Sequence, residues 1–309
     1  MSPDTLERGL VLTGPLIPSV PHSPHIRIAW GAASNRGTVR PANEDAWLAA
    51  ENLWAVADGM GGHSRGANAS ATAVRVLAEA LDSGRLGGRI PDVADLDRAV
   101  SEAAVAVAQL AIAADPTRSP GTTLTAGTVI PMGEGGASPH WVVLNIGDSR
   151  AWAVSETGIH QVTTDHSILQ EAKDLAAATG IEVVMPPANV VTRALGAASV
   201  GVPTADFFAL PLRDRDRLVL TTDGVHGVLA PEEILSTVWE NDPQTGADLL
   251  VERALEVGSR DNATAVIVHV EVVVATQKLD NGAAGPRRAV PVTPAETTTS
   301  PRRYSEGGS

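Results

Sequence analysis

The sequence predicts an α+β fold in which antiparallel sheets are covered by helices. Three observations point there. β-like runs cluster before and after a pair of consecutive long helices, the spacing around residues 155–158 is that of a hairpin, and no internal repeat is present. The totals agree with one sizeable core: 309 residues and 31.9 kDa, 43% hydrophobic and 19% charged.

Along the chain, residues 1–25 are rich in Pro and Gly and read as a loose leader. Residues 26–276 read as one catalytic-sized domain. Within it, residues 53–57 are an apolar run of strand character. Residues 65–81 are helical by composition, and Gly84, Gly87 and Gly88 break that helix. Asp92 is a candidate N-cap for a second helix over 94–113, dense in Ala and Val. The two helices follow one another directly and should lie antiparallel on a sheet. Residues 141–146, 150–154, 217–221 and 263–274 are further strand runs. Asp242 is placed to cap a helix over 243–257, and residues 170–178 are helical before Pro186 and Pro187 break the pattern. Ser167 and Asp165 are candidate caps of that helix. Residues 277–309 are small, Pro-rich and aperiodic, and are expected to be a disordered tail.

Several classes of function are excluded by composition. No cysteine is present, so disulfides, thiolate metal sites and any cysteine nucleophile are ruled out. A net charge of −13 opposes binding to nucleic acid or to anionic membrane surfaces, and suits a protein that binds cations. No apolar stretch reaches the length of a membrane span, and the first 25 residues lack the pattern of a signal peptide. A cytoplasmic protein is therefore expected. A zinc peptidase is excluded by the absence of HExxH.

The informative pattern is where the aspartates fall. Residues 53–57 run straight into Asp58 and Gly59, and residues 217–222 into Asp223 and Gly224. The run at 142–146 leads to Gly147 and Asp148, and Asp261 with Asn262 directly precedes the last strand. Strand ends lie at sheet edges, so carboxylates far apart in the chain can converge there. A neighbouring glycine lets the backbone turn sharply and its carbonyl approach a ligand. Converging carboxylates repel one another unless cations sit among them. Hard oxygen donors without His or Cys suit Mg²⁺ or Mn²⁺. Residues 40–45, RPANED, add Glu44, Asp45 and Arg40, whose planar guanidinium matches phosphate oxygens.

Eight segments in this order resemble the protein phosphatase 2C family of metal-dependent Ser/Thr phosphatases, bacterial type. They are RGTVRPANEDAW (36–47), VADGMGGHSRGANAS (56–70), GTTLTAG (121–127), LNIGDSRAW (144–152), TTDHS (163–167), VVTRALGA (190–197), LTTDGV (220–225) and SRDNATAVIV (259–268). The resemblance implies a four-layer α-β-β-α sandwich, two antiparallel sheets flanked by antiparallel helix pairs. It implies hydrolysis of phosphoserine and phosphothreonine in proteins by a water activated between two Mn²⁺ or Mg²⁺ ions. By position, Asp58 would bridge both metals, Gly59 would offer its carbonyl, and Asp223 and Asp261 would bind directly. Glu44 and Asp45 would act through water, and Asp148 would hold a third, weaker ion. Arg40 would take the substrate phosphate, Thr123 and Asp165 would orient waters and ligands from behind, and Asn262 would support Asp261. A binding module without catalysis would be expected to have lost Asp58, Asp223 or Asp261, and all three are present. Partners implied are Ser/Thr-phosphorylated proteins, among them eukaryotic-like kinases and their substrates, met by a monomer.

The pattern is departed from in two places. The histidine that animal members often carry after the first Asp-Gly is replaced by Met60; His63 follows three residues later and is expected to pack in a loop rather than act as general acid. Gly227 stands where an acidic residue often lies near the third metal, with His226 before it, expected on the cleft wall rather than as a ligand. Residues 168–189 fall where the family has a variable flap beside the cleft.

Overall fold

A computed structural model describes residues 12–15, 25–50, 52–61, 64–112, 119–133, 138–181, 183–187, 189–196, 202–273 and 289–293. Among them, two antiparallel sheets stack face to face. The first has the order β1 (Leu12–Pro15), β2 (His25–Asn35), β13 (Ala263–Val273), β12 (Arg217–Thr221), β8 (Arg150–Ser155), β9 (Gly158–Gln161). The second runs β10 (Leu195–Gly196), β5 (Gly121–Thr122), β4 (Leu53–Met60), β6 (Leu124–Met132), β7 (Ser138–Ile146), β11 (Asp206–Pro211), β14 (Val290–Pro291), with β3 (Asp45–Ala50) also paired to β4.

Strand alternation decides the layers. On β4, Trp54 and Val56 point into the space between the sheets, while Leu53, Ala55 and Ala57 face the opposite way. The inter-sheet core is built on Trp54, whose ring meets Trp30 of β2 at 6.3 Å and Trp141 of β7 at 6.0 Å. Behind the second sheet lie α1 (Ser64–Ala80) and α2 (Val93–Ile112), joined to it through Ala69, Ala73, Leu77, Leu96 and Val100. Small alanines on the buried face of α1 let the helix sit close to the strands. Behind the first sheet, α5 (Pro231–Glu240) and α6 (Pro243–Glu256) bury Ile234, Val238, Ala247 and Leu250 against Val219 and Ile267. The four layers are α-β-β-α, as expected.

Helix ends follow the caps read from sequence. Asp92 Oδ1 accepts the Asp95 amide at 2.9 Å and Asp242 Oδ1 accepts those of Gln244 and Thr245, each at 3.1 Å. Ser167 caps α3 (Ile168–Thr179), whereas Asp165 does not, being taken by Arg150 and Gln161. Most of the leader and tail lies outside the described residues. Two pieces within them, however, are strands rather than loose chain: Leu12–Pro15 pairs with β2 and Val290–Pro291 with β11. Both add to sheet edges, where an extended segment needs only backbone donors and acceptors.

Candidate metal centre

One end of the sandwich gathers the acidic strand ends. The register pairs Asp45 of β3 with Asp58 of β4. Asp223 opens a single helical turn, α4 (Asp223–His226), directly after β12, and Asp261 precedes β13, the neighbour of β12. Asp148 sits in the turn from β7 to β8. Arg40, Glu44, Asp58, Gly59, Met60, Asp148, Asp223, Asp261 and Asn262 line one cleft of ≈ 390 Å³, closed on the flap side by Asn189, Val190 and Val191.

Close backbone approach brings these pieces together. A Cβ on Gly59 would lie 2.3 Å from the Gly66 carbonyl oxygen and 2.4 Å from that of Glu44. A Cβ on Gly224 would meet the Asn262 carbonyl oxygen at 1.9 Å. Only glycine permits either contact, so the Asp-Gly pairs place the aspartates by letting neighbouring chain pack against them. Asp58 is further fixed through its backbone: its amide donates to Thr123 Oγ1 at 2.8 Å and its carbonyl accepts from the Thr123 amide at 3.0 Å.

The residues named from sequence take different places in the structure. Asp58, Asp148, Asp223, Asp261, Glu44 and Gly59 reach the cleft together, with Arg40 on its rim. Asp45 is turned underneath: its Oδ2 accepts from Thr222 at 2.9 Å and Thr264 at 2.6 Å. Asp165 does not line the cleft; it stands in a two-pronged ion pair with Arg150, near enough that its charge acts on Asp148. The side chain of Asn262 supports the loop rather than Asp261. Its Oδ1 accepts the Glu44 amide at 2.9 Å and its Nδ2 donates to the carbonyls of Arg36 and Ala42. Asp261 is steadied instead by the Asn262 backbone amide at 2.8 Å.

His226 resolves differently from expectation. His226 is no part of the cleft wall. Its ring packs 6.3 Å from that of Trp152 and its Nδ1 shares a hydrogen bond with Thr221, and this enclosure holds it well below the usual imidazole range. A Cβ on Gly227 would stand 2.5 Å from the Asp223 carbonyl, which already accepts the Gly227 amide, so a side chain there would press on Asp223 itself. His63 lies outside the described residues. The string GHSRG at 62–66 also matches the serine-nucleophile pattern G-x-S-x-G. It joins β4 to α1 in an antiparallel sheet, whereas that pattern serves the α/β-hydrolase sheet. Residues 62 and 63 are outside those described.

Sequence reading missed the hydroxyls beneath the site. Thr264 stands in a strand run, where β-branched residues read as sheet formers, while Thr222 and Ser149 lie just outside strands; only their places beside Asp223 and Asp148 hinted at a role.

The electrostatics state what the site wants. Burial pushes Asp58 well above the usual carboxylate range, and the charges of Asp45, Asp223, Asp148 and Asp261 add to it. Burial raises Asp45 to about 7 and Asp148 to about 7, the latter with help from Asp223. Buried oxygens of Glu44 (Oε1), Asp45 (Oδ1) and Asp223 (Oδ1) have no hydrogen-bond partner. Orphaned anionic oxygens in a shared polar cleft are costly unless a cation or water satisfies them. Among the described residues no three acidic or histidine side chains are drawn to the spacing of an ion's ligand shell. The orphaned oxygens of Glu44 and Asp223 in this cleft are nonetheless donors a cation could use. The donor set, all oxygen, fits Mg²⁺ or Mn²⁺.

A prediction arises here. Carboxyls raised in the folded state stabilise it fully below the unfolded value of 3.8 and lose that contribution as pH rises through about 7. Chelated protein should therefore lose thermal stability from this cluster between about pH 4 and pH 7. The rise in Tm on adding Mn²⁺ should grow over the same range. Scanning calorimetry with and without chelator checks this, and a Mn²⁺ effect independent of pH would contradict it.

Residues 39–250 match the protein phosphatase 2C profile. The chain belongs to the protein phosphatase 2C family. Among its relatives, the serine/threonine protein phosphatase PstP of Mycobacterium tuberculosis is 33% identical over 244 residues, covering 79% of this chain and 45% of that protein. The chain thus spans less than half the length of this mycobacterial family member. The serine/threonine phosphatase stp of Listeria welshimeri is 29% identical over 76% of this chain and 93% of its own length. The crystal structure of the catalytic domain of PstP in complex with two manganese ions superposes with a TM-score of 0.66 at 33% identity, over 80% of this chain and 99% of that one.

Proposed function

We propose that the chain is a metal-dependent protein phosphatase that hydrolyses phosphoserine and phosphothreonine in proteins. The observation that carries this is the cleft where Asp58, Asp148, Asp223, Asp261 and Glu44 converge with unpartnered buried oxygens below a rim arginine. The two manganese ions of the PstP structure support reading the cleft as a two-metal site. Asp58, Gly59, Asp223 and Asp261 would hold two divalent cations, Glu44 and Asp45 would act through water, and Asp148 would hold a third. Cations bound there acidify a water for in-line attack on phosphorus and neutralise charge on its oxygens.

The chain's own residues do the rest. Arg40 stands half-exposed at the rim, where its two-pronged head can take phosphate oxygens. Thr123 and the Gly59–Gly66 contact hold Asp58 rigid, so the site is organised before substrate arrives. Met60 lines the cleft and carries no exchangeable proton, so protonation of the leaving Ser or Thr oxygen falls to another group, such as a water. With no cysteine in the chain, no thiol ester of phosphate can form.

The proposal extends to a catalytic unit over 26–276, acting as a cytoplasmic monomer on proteins phosphorylated by eukaryotic-like kinases, the kinases included. Its net charge of −13 favours protein over nucleic-acid or anionic-membrane partners. Among the described residues no helix is long and apolar enough to cross a membrane. The test is phosphate release from a phosphothreonine peptide. Release should require Mn²⁺ or Mg²⁺ and stop on adding a chelator. No release with either metal, or release that a chelator leaves intact, would overturn the reading.

A further inference from the structure

Among the motif segments, TTDHS holds one residue that the metal site does not absorb. His166 is 6% exposed, and both of its ring nitrogens are engaged. The Gly147 amide donates to Nδ1 at 3.0 Å, which fixes the tautomer: Nδ1 accepts and Nε2 carries the hydrogen. That hydrogen faces Asp206 Oδ2 at 3.0 Å, at the start of β11. Arg193 is held alongside, its Nη1 2.9 Å from Nε2 and donating to Asp206 Oδ1 at 2.8 Å and to the Thr204 carbonyl at 3.0 Å, so Nε2 meets Asp206 and Arg193 together.

The backbone of His166 ties the same parts together. Its amide donates to the Gly147 carbonyl at 2.9 Å and its carbonyl accepts the Thr192 amide at 2.8 Å. One residue further, the Ile168 amide donates to the Val190 carbonyl at 3.0 Å, and Ser167 bridges Val191. The two feet of the flap are thus zipped to each other, and the zipped pair is bolted to the turn that carries Asp148. The body of the flap has little else to hold it: α3 has no buried residue. Val190 and Val191 of the outgoing foot line the same cleft as Asp148.

We propose that His166 is a positioning residue that couples the flap to the Asp148 turn, so that the placement of the flap over the cleft and the placement of the Asp148 carboxylate are set by one buried ring. The inference rests on the phosphatase reading for its kinetic consequences but not for its structural ones. Anything that moves the flap feet must move His166, and through the Gly147 amide it must move the residue next to Asp148. A substrate pressing on the flap would thereby alter the acidic site without touching it.

Two near-isosteric substitutions cut the ring's two links separately. In His166→Asn the side-chain oxygen replaces Nδ1 and keeps the bond from Gly147, while the link to Asp206 is lost. In His166→Gln the terminal amide replaces Nε2 and keeps the link to Asp206, while the Gly147 amide loses its acceptor. Amide hydrogen exchange on the metal-free protein reads both without any catalysis. The Gln variant should expose the amides of 147–148, and the Asn variant those of the flap feet at 167–168 and 190–192. In assays, the Gln variant should need more Mn²⁺, by about ten- to a hundredfold, the usual cost of losing a group that orients a ligand. The Asn variant should instead raise KM for a phosphothreonine peptide and leave p-nitrophenyl phosphate little changed. If the two variants show the same exchange pattern, or neither departs from wild type at these amides, the coupling is wrong. If exchange behaves as expected but no variant nor the wild type releases phosphate, the coupling stands and the phosphatase reading fails.

Discussion

Replacing Asp58 by asparagine is expected to lower phosphatase activity by about a thousandfold or more, well beyond the roughly 10–100-fold cost of losing a group that only supports a ligand. Asparagine keeps the shape of the side chain and the backbone bonds to Thr123, so the fold should persist. What changes is charge. Asp58 carries the largest burden of repulsion in the cluster, from Asp45, Asp223, Asp148 and Asp261, on top of burial. In the chelated protein at neutral pH, its neutral replacement should therefore raise Tm rather than lower it. Adding Mn²⁺ should then stabilise wild type strongly and the variant weakly. This opposite movement separates a ligand from a structural residue, since loss of a structural residue would lower Tm in both conditions. An Asp58→Asn enzyme that keeps its activity and its thermal response to Mn²⁺ would remove the basis for a metal centre at this cleft.

The site was legible in sequence to the extent that it is built from strand ends. Asp58, Asp223, Asp148 and Asp261 each follow or precede an apolar run long enough to recognise, and sheet geometry carries such ends to a common edge. The runs that became β4, β7, β8, β12 and β13 were visible for the same reason. β2 was not, because HIRIAWGAASN dilutes its apolar residues with Gly, Ser and Ala, nor was β6, which is buried along most of its length and shows no alternation. The ten-residue helix α5 is short and carries β-branched Ile234, Thr237 and Val238, which weaken a helical reading. Side-chain partnerships were illegible for a different reason. The bonds from Asn262 to Glu44 and from Thr264 to Asp45 join residues about 220 positions apart, and nothing local encodes them. The pairing of Asp165 with Arg150 was likewise invisible, because the fold alone sets the two side by side. His166 carried no signal of its own, because the donor to its ring comes from the turn at Gly147.

Arg40→Ala should separate phosphate binding from metal binding, with effects of opposite sign. In the structure Arg40 Nη2 is ion-paired to Asp261 Oδ2, and the charges of Asp58 and Asp223 also act on it. The arginine thus occupies, in the metal-free state, one of the carboxylates assigned to a cation. Divalent ions must displace it from Asp261, and a guanidinium so released is free to meet phosphate at the rim. Removing it therefore takes away a competitor for Asp261, and the Mn²⁺ concentration for half-maximal binding should fall modestly, because the pair is half-exposed and screened by solvent. Removing it also takes away a charged hydrogen-bonding partner of the phosphate, worth about 1.5–3 kcal/mol, so kcat/KM should drop roughly ten- to a hundredfold. The loss should appear chiefly in KM when metal is saturating, since the contact is made to phosphate in the ground state as well as in the transition state. Titration calorimetry with Mn²⁺ and steady-state kinetics on a phosphothreonine peptide read the two effects on the same preparation. Weaker Mn²⁺ binding with KM unchanged would show that Arg40 serves to hold Asp261 in place, and phosphate would then need another partner at the rim.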